Sequence, residues 1–188
     1  MKVETLAGEV VKACVAENVD YMIASAFAYG MYGIPRSTKD VDIVLSVKGE
    51  NVILRVIERL SGQVEFGDQV QFDTLTWGKR HVGKVIGNPQ LQVELFELFD
   101  DPFVLAQFER KVLLYSPQVG AEIWAPTAED VLVQKLRWGR AKDLDDARDI
   151  IAIQEIKNLE MDYVHHWCGI HKSEERLREA INRIPKDL

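Results

Sequence analysis

The chain has 188 residues, of which 47% are hydrophobic, so it can bury one full core and is too short for two large domains. Its formal net charge of -7 excludes a global basic field that would attract nucleic acid or membrane, although two local basic stretches remain at 78–84 and 135–142. Two cysteines, Cys14 and Cys168, are too few for a disulfide framework. The sequence also shows no signal peptide and no apolar run long enough to span a membrane. Together with the two cysteines, these features predict a soluble cytoplasmic protein with no disulfide partner and no membrane contact.

The first third of the sequence alternates helices with strands. An opening helix is predicted by apolar residues at helical spacing, namely Val3, Leu6, Val10, Val11, Cys14 and Val15. The short strand YMIA (21–24) follows, and Ser25 is the predicted N-cap of a helix over 26–33. A strand over 41–47 and an amphipathic helix over 50–60 complete this part.

Residues 63 to 98 have the pattern of strands. The predicted strands are QVEFG (63–67), FDTLTW (72–77), HVGKVIG (81–87) and LQVELFEL (91–98). The last of them places Leu91, Val93 and Leu95 on one face and Gln92, Glu94 and Phe96 on the other. A short helix over 100–110, with its proline in the first turn, and a strand pair over 111–116 and 121–126 come next.

The rest of the chain is predicted to be helical. Thr127 can cap a helix over 128–140, with Asp130 three residues on in a near capping box. Further helices are predicted over 144–156, 162–170 and 174–184. The start of the first of these helices is predicted to be exposed to solvent at three acids, Asp143, Asp145 and Asp146. Together these elements predict an α+β fold, a mixed β-sheet with flanking helices, with a core over 1–125 and a C-terminal helical extension over 126–188 packed on it.

Two aspartates, Asp40 and Asp42, occupy alternate positions where the strand over 41–47 begins. Side chains at alternate positions of a strand point to the same face, so the two carboxylates are expected to lie side by side. Such a pair is costly to bury unless a cation binds between them. Paired carboxylates suit Mg²⁺ or Mn²⁺, which proteins commonly bind together with substrate phosphates. The pattern therefore predicts a site for a metal-bound nucleoside triphosphate.

Two further features support this prediction. The helix start at Ser25 offers unpaired backbone N–H groups to a phosphate, and the small residues Ala24 and Ala26 beside it allow close approach. A third carboxylate on a neighbouring strand would complete a metal site and accept a proton from the attacking group. Glu94 is the predicted third carboxylate, and Glu97, on the opposite face of that strand, is the second choice.

The segment IASAFAYGMYGIPRSTKDVDIVL (23–45) resembles the signature of the nucleotidyltransferase superfamily with the polymerase-beta-like fold. In that signature a hydrophobic strand is followed by Gly, then Gly or Ser, and, roughly ten to fifteen residues later, D-x-D. Three downstream segments resemble later parts of small bacterial members, including abortive-infection and toxin-related nucleotidyltransferases: 93–110, 127–138 and 148–150. The resemblance covers roughly residues 20 to 155.

The resemblance implies a metal-dependent enzyme that moves a nucleoside monophosphate from an NTP donor to a hydroxyl acceptor, with RNA or a protein among the candidate acceptors. Asp40 and Asp42 match the metal ligands, and Glu94 falls where many members have a third aspartate. The implied nucleotide-binding residues are Ala24, Ser25 and Lys135. Arg36, just before the acids, either contacts a phosphate as well or is a surface residue that pairs with Asp40. Asp149 matches the acid of the family's D-I helix.

Two positions depart from the family pattern. Ala24 occupies the position of the usual first glycine, where a methyl group would crowd a phosphate or restrict φ. Glu94 is one methylene longer than aspartate. Two alternatives therefore stay open: a catalytically degenerate protein that binds a nucleotide or a partner, and a toxin-like enzyme that acts on RNA.

Two other groups of residues have alternative interpretations. Near the C-terminus are residue types that bind zinc, His165, His166, Cys168 and His171, but no second cluster completes a tetrahedral site, which favours histidines in the core or on the surface. Trp138, among basic residues, either stacks on a base or packs its own helix.

Overall fold

The structure, a computed structural model, describes residues 1–73 and 78–185. The last four residues of the predicted strand FDTLTW, 74–77, and the last three of the predicted C-terminal extension, 186–188, lie outside the described residues. The helices are α1 (Val3–Ala16), α2 (Ser25–Tyr32), α3 (Val52–Leu60), α4 (Pro102–Arg110), α5 (Ala128–Trp138), α6 (Ala141–Gln154), α7 (Met161–His171) and α8 (Glu174–Asn182). A 3₁₀ turn, Ile156–Asn158, joins α6 to α7. The strands are β1 (Tyr21–Ile23), β2 (Asp40–Leu45), β3 (Val64–Phe66), β4 (Gln71–Asp73), β5 (Gly78–Val85), β6 (Asn88–Glu97), β7 (Val112–Ser116) and β8 (Ala121–Ala125).

The larger sheet is mixed. Its strand order within the described residues is β1-β2-β6-β5-β3, and β4 also pairs with β5. β2 and β6 run parallel, and the other neighbours are antiparallel. The parallel register sets Asp40 opposite Gln92 and Asp42 opposite Glu94. β7 and β8 form a separate antiparallel hairpin, as predicted.

The two faces of this sheet have different chemistry. On one face, Val41, Ile43 and Leu95 are fully buried and pack in a core with residues of α1 and α3. The opposite face carries the alternate positions, which include the predicted acids. The stripe predicted for α1 is confirmed except at Val15, which is 66% exposed because it lies about 100° around the helix from Cys14.

The helices after residue 125 share a second core, in which Leu132, Ile150 and Leu177 are fully buried. The capping box of Thr127 and Asp130 is confirmed at the start of α5. The predicted α+β class is also confirmed, whereas the boundary at 125/126 stays a prediction. Tyr29 and Phe103, from the first part of the chain, belong to this second core as well.

The interpretation of the α6 start as a solvated surface was wrong for two of its three aspartates. Asp143 is fully buried and Asp146 is 5% exposed. Only Asp145 lies on the surface. The two buried acids turn towards the preceding helix, where Lys135 supplies the positive charge that makes their burial tolerable.

Both cysteines are buried free thiols. Across the described ranges, none of the helices has both the length and the apolar character needed to cross a membrane.

His171, at the end of α7, makes the fold sensitive to acid. Its ring stacks on Trp167 and meets Phe103 edge-on, and burial, with Arg137 nearby, lowers the pKa of His171 to about 4. Because the folded state disfavours the charged ring, we expect stability to fall as pH drops from about 6.5 through 4, by about 1–2 kcal/mol from this group, since the ring is only partly buried and solvent screens part of the effect.

The variant His171→Phe keeps an aromatic ring in place and is expected to lose this component of the acid sensitivity. Melting curves from pH 7 to pH 4 measure it, with the exposed His165→Gln as the control. Parallel pH dependences of His171→Phe and the unmodified protein would contradict the assignment.

Candidate active site

The acidic face of the larger sheet borders a cleft of about 200 Å³ between the sheet, the start of α2 and the end of α5. It is polar for the most part. The lining residues are Ser25, Ala26, Arg36, Thr38, Asp40, Asp42, Arg80, Glu94, Phe96, Lys135, Trp138, Arg140 and Lys142. The site therefore draws on segments that are far apart in the sequence, from Ser25 to Lys142.

The structure brings the three predicted carboxylates to one face of the sheet. Asp40 and Asp42 lie at alternate positions of β2, and Glu94 is the parallel partner of Asp42 on β6. Burial first, and then the negative charges of Glu94 and Asp40, raise the pKa of Asp42 to about 7. Hydrogen bonding from Ser25 opposes this shift. A carboxyl group in this state has a strong electrostatic preference for a cation nearby.

The second-choice acid, Glu97, lies outside this group. Its Oε1 atom is 2.9 Å from Nε2 of His81, the neighbouring side chain on β5. The period of two along β6 puts Glu97 on the face opposite Glu94, as the sequence predicted.

The turn between β1 and α2 differs from the prediction at both of its small residues. α2 begins at Ser25 itself and its N-cap is Ala24, so Ser25 is not the cap. Ala24 has φ -131°, an extended conformation that any residue adopts, whereas Ser25 has φ 51°. The positive φ that was expected at Ala24, the position of the signature glycine, therefore occurs one residue later, at Ser25.

Contacts between this turn and Asp42 of β2 hold Ser25 in its positive-φ conformation. The backbone N–H of Ala24 donates to the carbonyl of Asp42 at 2.8 Å, and the Ser25 side chain hydrogen-bonds the Asp42 carboxylate. A non-glycine residue at positive φ costs of order 1–3 kcal/mol and persists where the surroundings fix it, which is typical of functional turns. The start of α2 and the acidic pair are thus one connected unit.

We expect Ala24→Gly to lower stability and leave nucleotide affinity unchanged. Glycine adds backbone freedom to the unfolded chain at a cost of roughly 0.5–1 kcal/mol, and the native φ of Ala24 does not require it. Thermal melting and titration with Mg²⁺–ATP measure the two effects. A tenfold gain in affinity would show that the methyl group of Ala24 obstructs the phosphate, as the sequence suggested.

Lys135 lies at the cleft but its ammonium group is already paired. It is 2% exposed, and its Nζ is 2.6 Å from Oδ2 of Asp146 and 3.6 Å from Oδ1 of Asp143. The Arg36 guanidinium reaches the same Asp146 oxygen at 3.5 Å. Contact of Lys135 with a triphosphate therefore stays a prediction, and Arg36, on the exposed rim, is the better placed of the two cations.

Sequence reasoning identified the two basic stretches but missed the ion pairs that they form. Arg80, from the first stretch, donates from Nη1 to Oε2 of Glu94 at 2.7 Å. Arg140, from the second, binds the carboxylate of Asp143 through Nε and Nη2. The sequence carries no signal for the Arg80 pair, because it depends on the register of β5 on β6, which sets Arg80 opposite Phe96, two residues from Glu94 on the same face of the sheet.

The donor set fits a divalent ion that arrives with phosphate oxygens. Asp40 and Asp42 supply two carboxylates, which is what Mg²⁺ commonly takes from a protein when a nucleotide supplies further ligands. Among residues 1–73 and 78–185, no cluster of three or more His, Cys, Asp or Glu side chains is placed to hold a metal ion. Glu94 is bound by Arg80 instead, so its role as a third metal ligand stays a prediction.

A small apolar pocket of about 80 Å³ adjoins the acidic cleft, and Phe96, Lys135 and Trp138 line both. It extends along the same sheet face past Asp42, to Met22 and Val44. Trp138 also lies within 6 Å of the cations of Lys135 and Arg140, so it contributes both to helix packing and to the cleft wall.

The remaining predicted residues have structural partners. Asp149 accepts from Tyr29 Oη at 3.2 Å and from Arg148, behind the cleft. Cys168 is fully buried, and His166 and His171 pack against Trp167, in agreement with the interpretation that favoured core and surface histidines over zinc.

The chain matches no protein-family model and no curated protein. Its fold, in contrast, is similar to solved structures. An antigenic nucleotidyltransferase-like protein from Paracoccidioides brasiliensis aligns with a TM-score of 0.62 at 20% identity, over 98% of this chain and 94% of that chain. The antibiotic-resistance factor ANT(2'')-Ia aligns with a TM-score of 0.58 at 11% identity, over 95% and 96%. JHP933 from Helicobacter pylori aligns with a TM-score of 0.56 at 17% identity, over 94% and 76%.

These alignments extend over nearly the whole chain, including the sheet that carries the acidic pair and the helices that close the cleft. Identities of 20% and below establish a common fold and leave the reaction to be argued from the site. The resemblance seen in the sequence is confirmed at this level, and the chain has the nucleotidyltransferase fold.

Proposed function

We propose that this protein transfers a nucleoside monophosphate from a metal-bound nucleoside triphosphate to a hydroxyl acceptor. The observation that carries the proposal is the cleft itself, where Asp40 and Asp42 share a strand face beside the start of α2. Arg36 and Lys142, basic side chains on the exposed rim of the same cleft, offset the charge of a triphosphate. The fold is the one found in nucleotidyltransferases.

Each part of the cleft has a task in this reaction. Asp40 and Asp42 would hold the Mg²⁺ or Mn²⁺ ion, which would supply charge neutralisation at the phosphates and a lower pKa for the attacking hydroxyl. The backbone at Ser25 approaches the triphosphate at the N-terminus of α2. Arg36, exposed at the rim, contacts the outer phosphates.

The chemical step is an exchange at the α-phosphorus. The acceptor oxygen forms a bond to the α-phosphorus. At the same time the bond between the α-phosphorus and the oxygen that bridges to the β-phosphorus breaks, and pyrophosphate leaves with the electron pair of that bond. The hydroxyl proton passes to a carboxylate of the cleft, for which Glu94, opposite Asp42, is the candidate.

A small hydroxyl compound is the acceptor class that the comparisons favour, because one structure of ANT(2'')-Ia contains adenylyl-2''-tobramycin. An RNA acceptor would need an extended basic surface. The cations at this cleft are instead largely engaged by carboxylates: Arg80 by Glu94, Lys135 by Asp146 and Arg140 by Asp143. The binding-only alternative rested on Ala24 and Glu94, and the extended backbone of Ala24 removes one reason for it, the restriction of φ.

A melting experiment tests nucleotide and metal binding together. The protein is heated alone, with Mg²⁺, with ATP, and with both, and the combination is expected to stabilise more than the sum of the separate effects. Saturation at a hundredfold excess over Kd is worth about 2.7 kcal/mol. Four coincident curves at millimolar ligand, repeated with GTP, CTP and UTP, would contradict the proposal.

A further inference from the structure

Arg80 occupies an unusual place for a cation in a site predicted to bind a metal. Its guanidinium donates from Nη1 to Glu94 at 2.7 Å and from Nη2 to Gln71 at 3.3 Å. Both members of the Arg80–Glu94 pair are largely shielded from solvent, with side chains 28% and 16% exposed. Shielding strengthens the pair relative to a surface ion pair.

The position of this pair is set by the sheet. β5 and β6 are antiparallel, and Arg80 lies opposite Phe96, so its side chain reaches along the sheet face to the carboxylate two residues away. Glu94 in turn is the parallel partner of Asp42. Arg80 is therefore close enough to the acidic pair that its charge favours the ionised form of Asp42 and lowers the pKa of that carboxyl, although burial outweighs this effect.

A fixed positive charge at this point weakens the attraction of the cleft for a lone divalent ion. It neutralises the third carboxylate, and the two remaining acids supply few ligands for an ion that binds best to several oxygens. A nucleotide reverses the balance, because its phosphates add oxygen ligands for the ion and are themselves attracted by Arg36 at the exposed rim.

We propose that Arg80, by pairing with Glu94, makes metal binding conditional on nucleotide, so that the ion enters the cleft as its nucleotide complex and not ahead of it. The inference rests on the proposed function and adds to it an order of binding and a residue that imposes this order. Arg80 is a positioning residue in this account, since it acts through Glu94.

The test measures Mn²⁺ binding directly, by the paramagnetic resonance signal of the free ion, with no turnover required. The unmodified protein is expected to bind Mn²⁺ weakly alone and tightly with a non-hydrolysable ATP analogue. Arg80→Gln is expected to bind Mn²⁺ without nucleotide about tenfold more tightly, because Glu94 then becomes a further carboxylate ligand. Arg80→Lys keeps the charge and is expected to behave as the unmodified protein.

Two controls locate the effect. The double variant Arg80→Gln, Glu94→Gln is expected to lose the gain, since the released carboxylate is absent. Arg59→Gln breaks another arginine–glutamate pair, with Glu17 on the other side of the sheet, and is expected to leave Mn²⁺ binding unchanged. Circular dichroism establishes that each variant is folded.

The outcomes separate the inference from the proposed function. If Arg80→Gln binds Mn²⁺ no more tightly than the unmodified protein, while Mn²⁺ and the analogue still bind together, the inference is wrong and the nucleotide site stands. A gain that persists in the double variant also overturns it. If Mn²⁺ and the analogue fail to bind together to the unmodified protein, the proposed function fails first.

Discussion

Asp42→Asn is expected to lower nucleotidyl transfer by roughly a thousandfold or more, since it removes a charge that the reacting site needs and leaves the shape of the cleft intact. Asp42 is the centre of the acidic group, paired with Glu94 across the strands and hydrogen-bonded to Ser25. Initial rates with saturating Mg²⁺–NTP measure the effect. The control is Glu58→Gln, an exposed acid on α3, which is expected to keep full activity.

The same substitution is expected to stabilise the nucleotide-free protein at pH 8. The pKa of Asp42 is about 7 in the folded state, well above the ordinary value for an aspartate, so folding favours the protonated carboxyl. Its contribution to stability is therefore lost as pH rises from about 4 through 7, and asparagine avoids that loss. The melting temperature of Asp42→Asn minus that of the unmodified protein should grow from pH 5 to pH 8. Two results would contradict the role given to Asp42: normal transfer activity of Asp42→Asn, or a melting-temperature difference from the unmodified protein that shrinks between pH 5 and pH 8.

Lys135→Met is expected to destabilise the fold by about 3 kcal/mol, because it removes the ammonium partner of the buried Asp146 carboxylate and leaves it only the longer contact with Arg36, at 3.5 Å. Methionine preserves most of the side-chain volume, so lost packing contributes little. Denaturant unfolding measures the change. Lys142→Met, at the exposed rim of the same cleft, is the matched control and is expected to stay within about 0.5 kcal/mol.

A double variant identifies the cause of that destabilisation. Lys135→Met with Asp146→Leu removes both charges, and replacing a buried ion pair by apolar groups is often neutral. The double variant is therefore expected to be more stable than Lys135→Met alone. Equal stabilities for the single variant and the unmodified protein would show that the buried pair contributes nothing measurable.

The sequence predicted the parts of the site that depend on local pattern. The period of two along β2 placed Asp40 and Asp42 on one face, the same period along β6 placed Glu94 and Glu97 on opposite faces, and helical spacing identified the surrounding helices. The capping box at Thr127 is local in the same sense. In each case the relevant interaction lies within a few residues along one element, so that the residue types alone carry the information.

What the sequence did not predict depends on backbone torsion or on contacts across the fold. The residue types at positions 24 and 25 do not indicate that Ser25, and not Ala24, has the positive φ. The pairing of Arg80 with Glu94 follows from the exact register of two strands, and that of Lys135 with Asp146 from the packing of α5 on α6. For this reason acids that looked solvated are buried, and a predicted metal ligand already has an arginine partner.

Transfer of a nucleoside monophosphate is tested most directly by a comparison of two isotopic labels. The protein is incubated with Mg²⁺ and each NTP, labelled at the α- or the γ-phosphate, with cell extract or total RNA as the source of acceptor. We expect a product that carries the α-label and not the γ-label, and that is absent with Asp42→Asn. Transfer of the γ-label, or no α-labelled product from any of the four NTPs with either acceptor source, would contradict it.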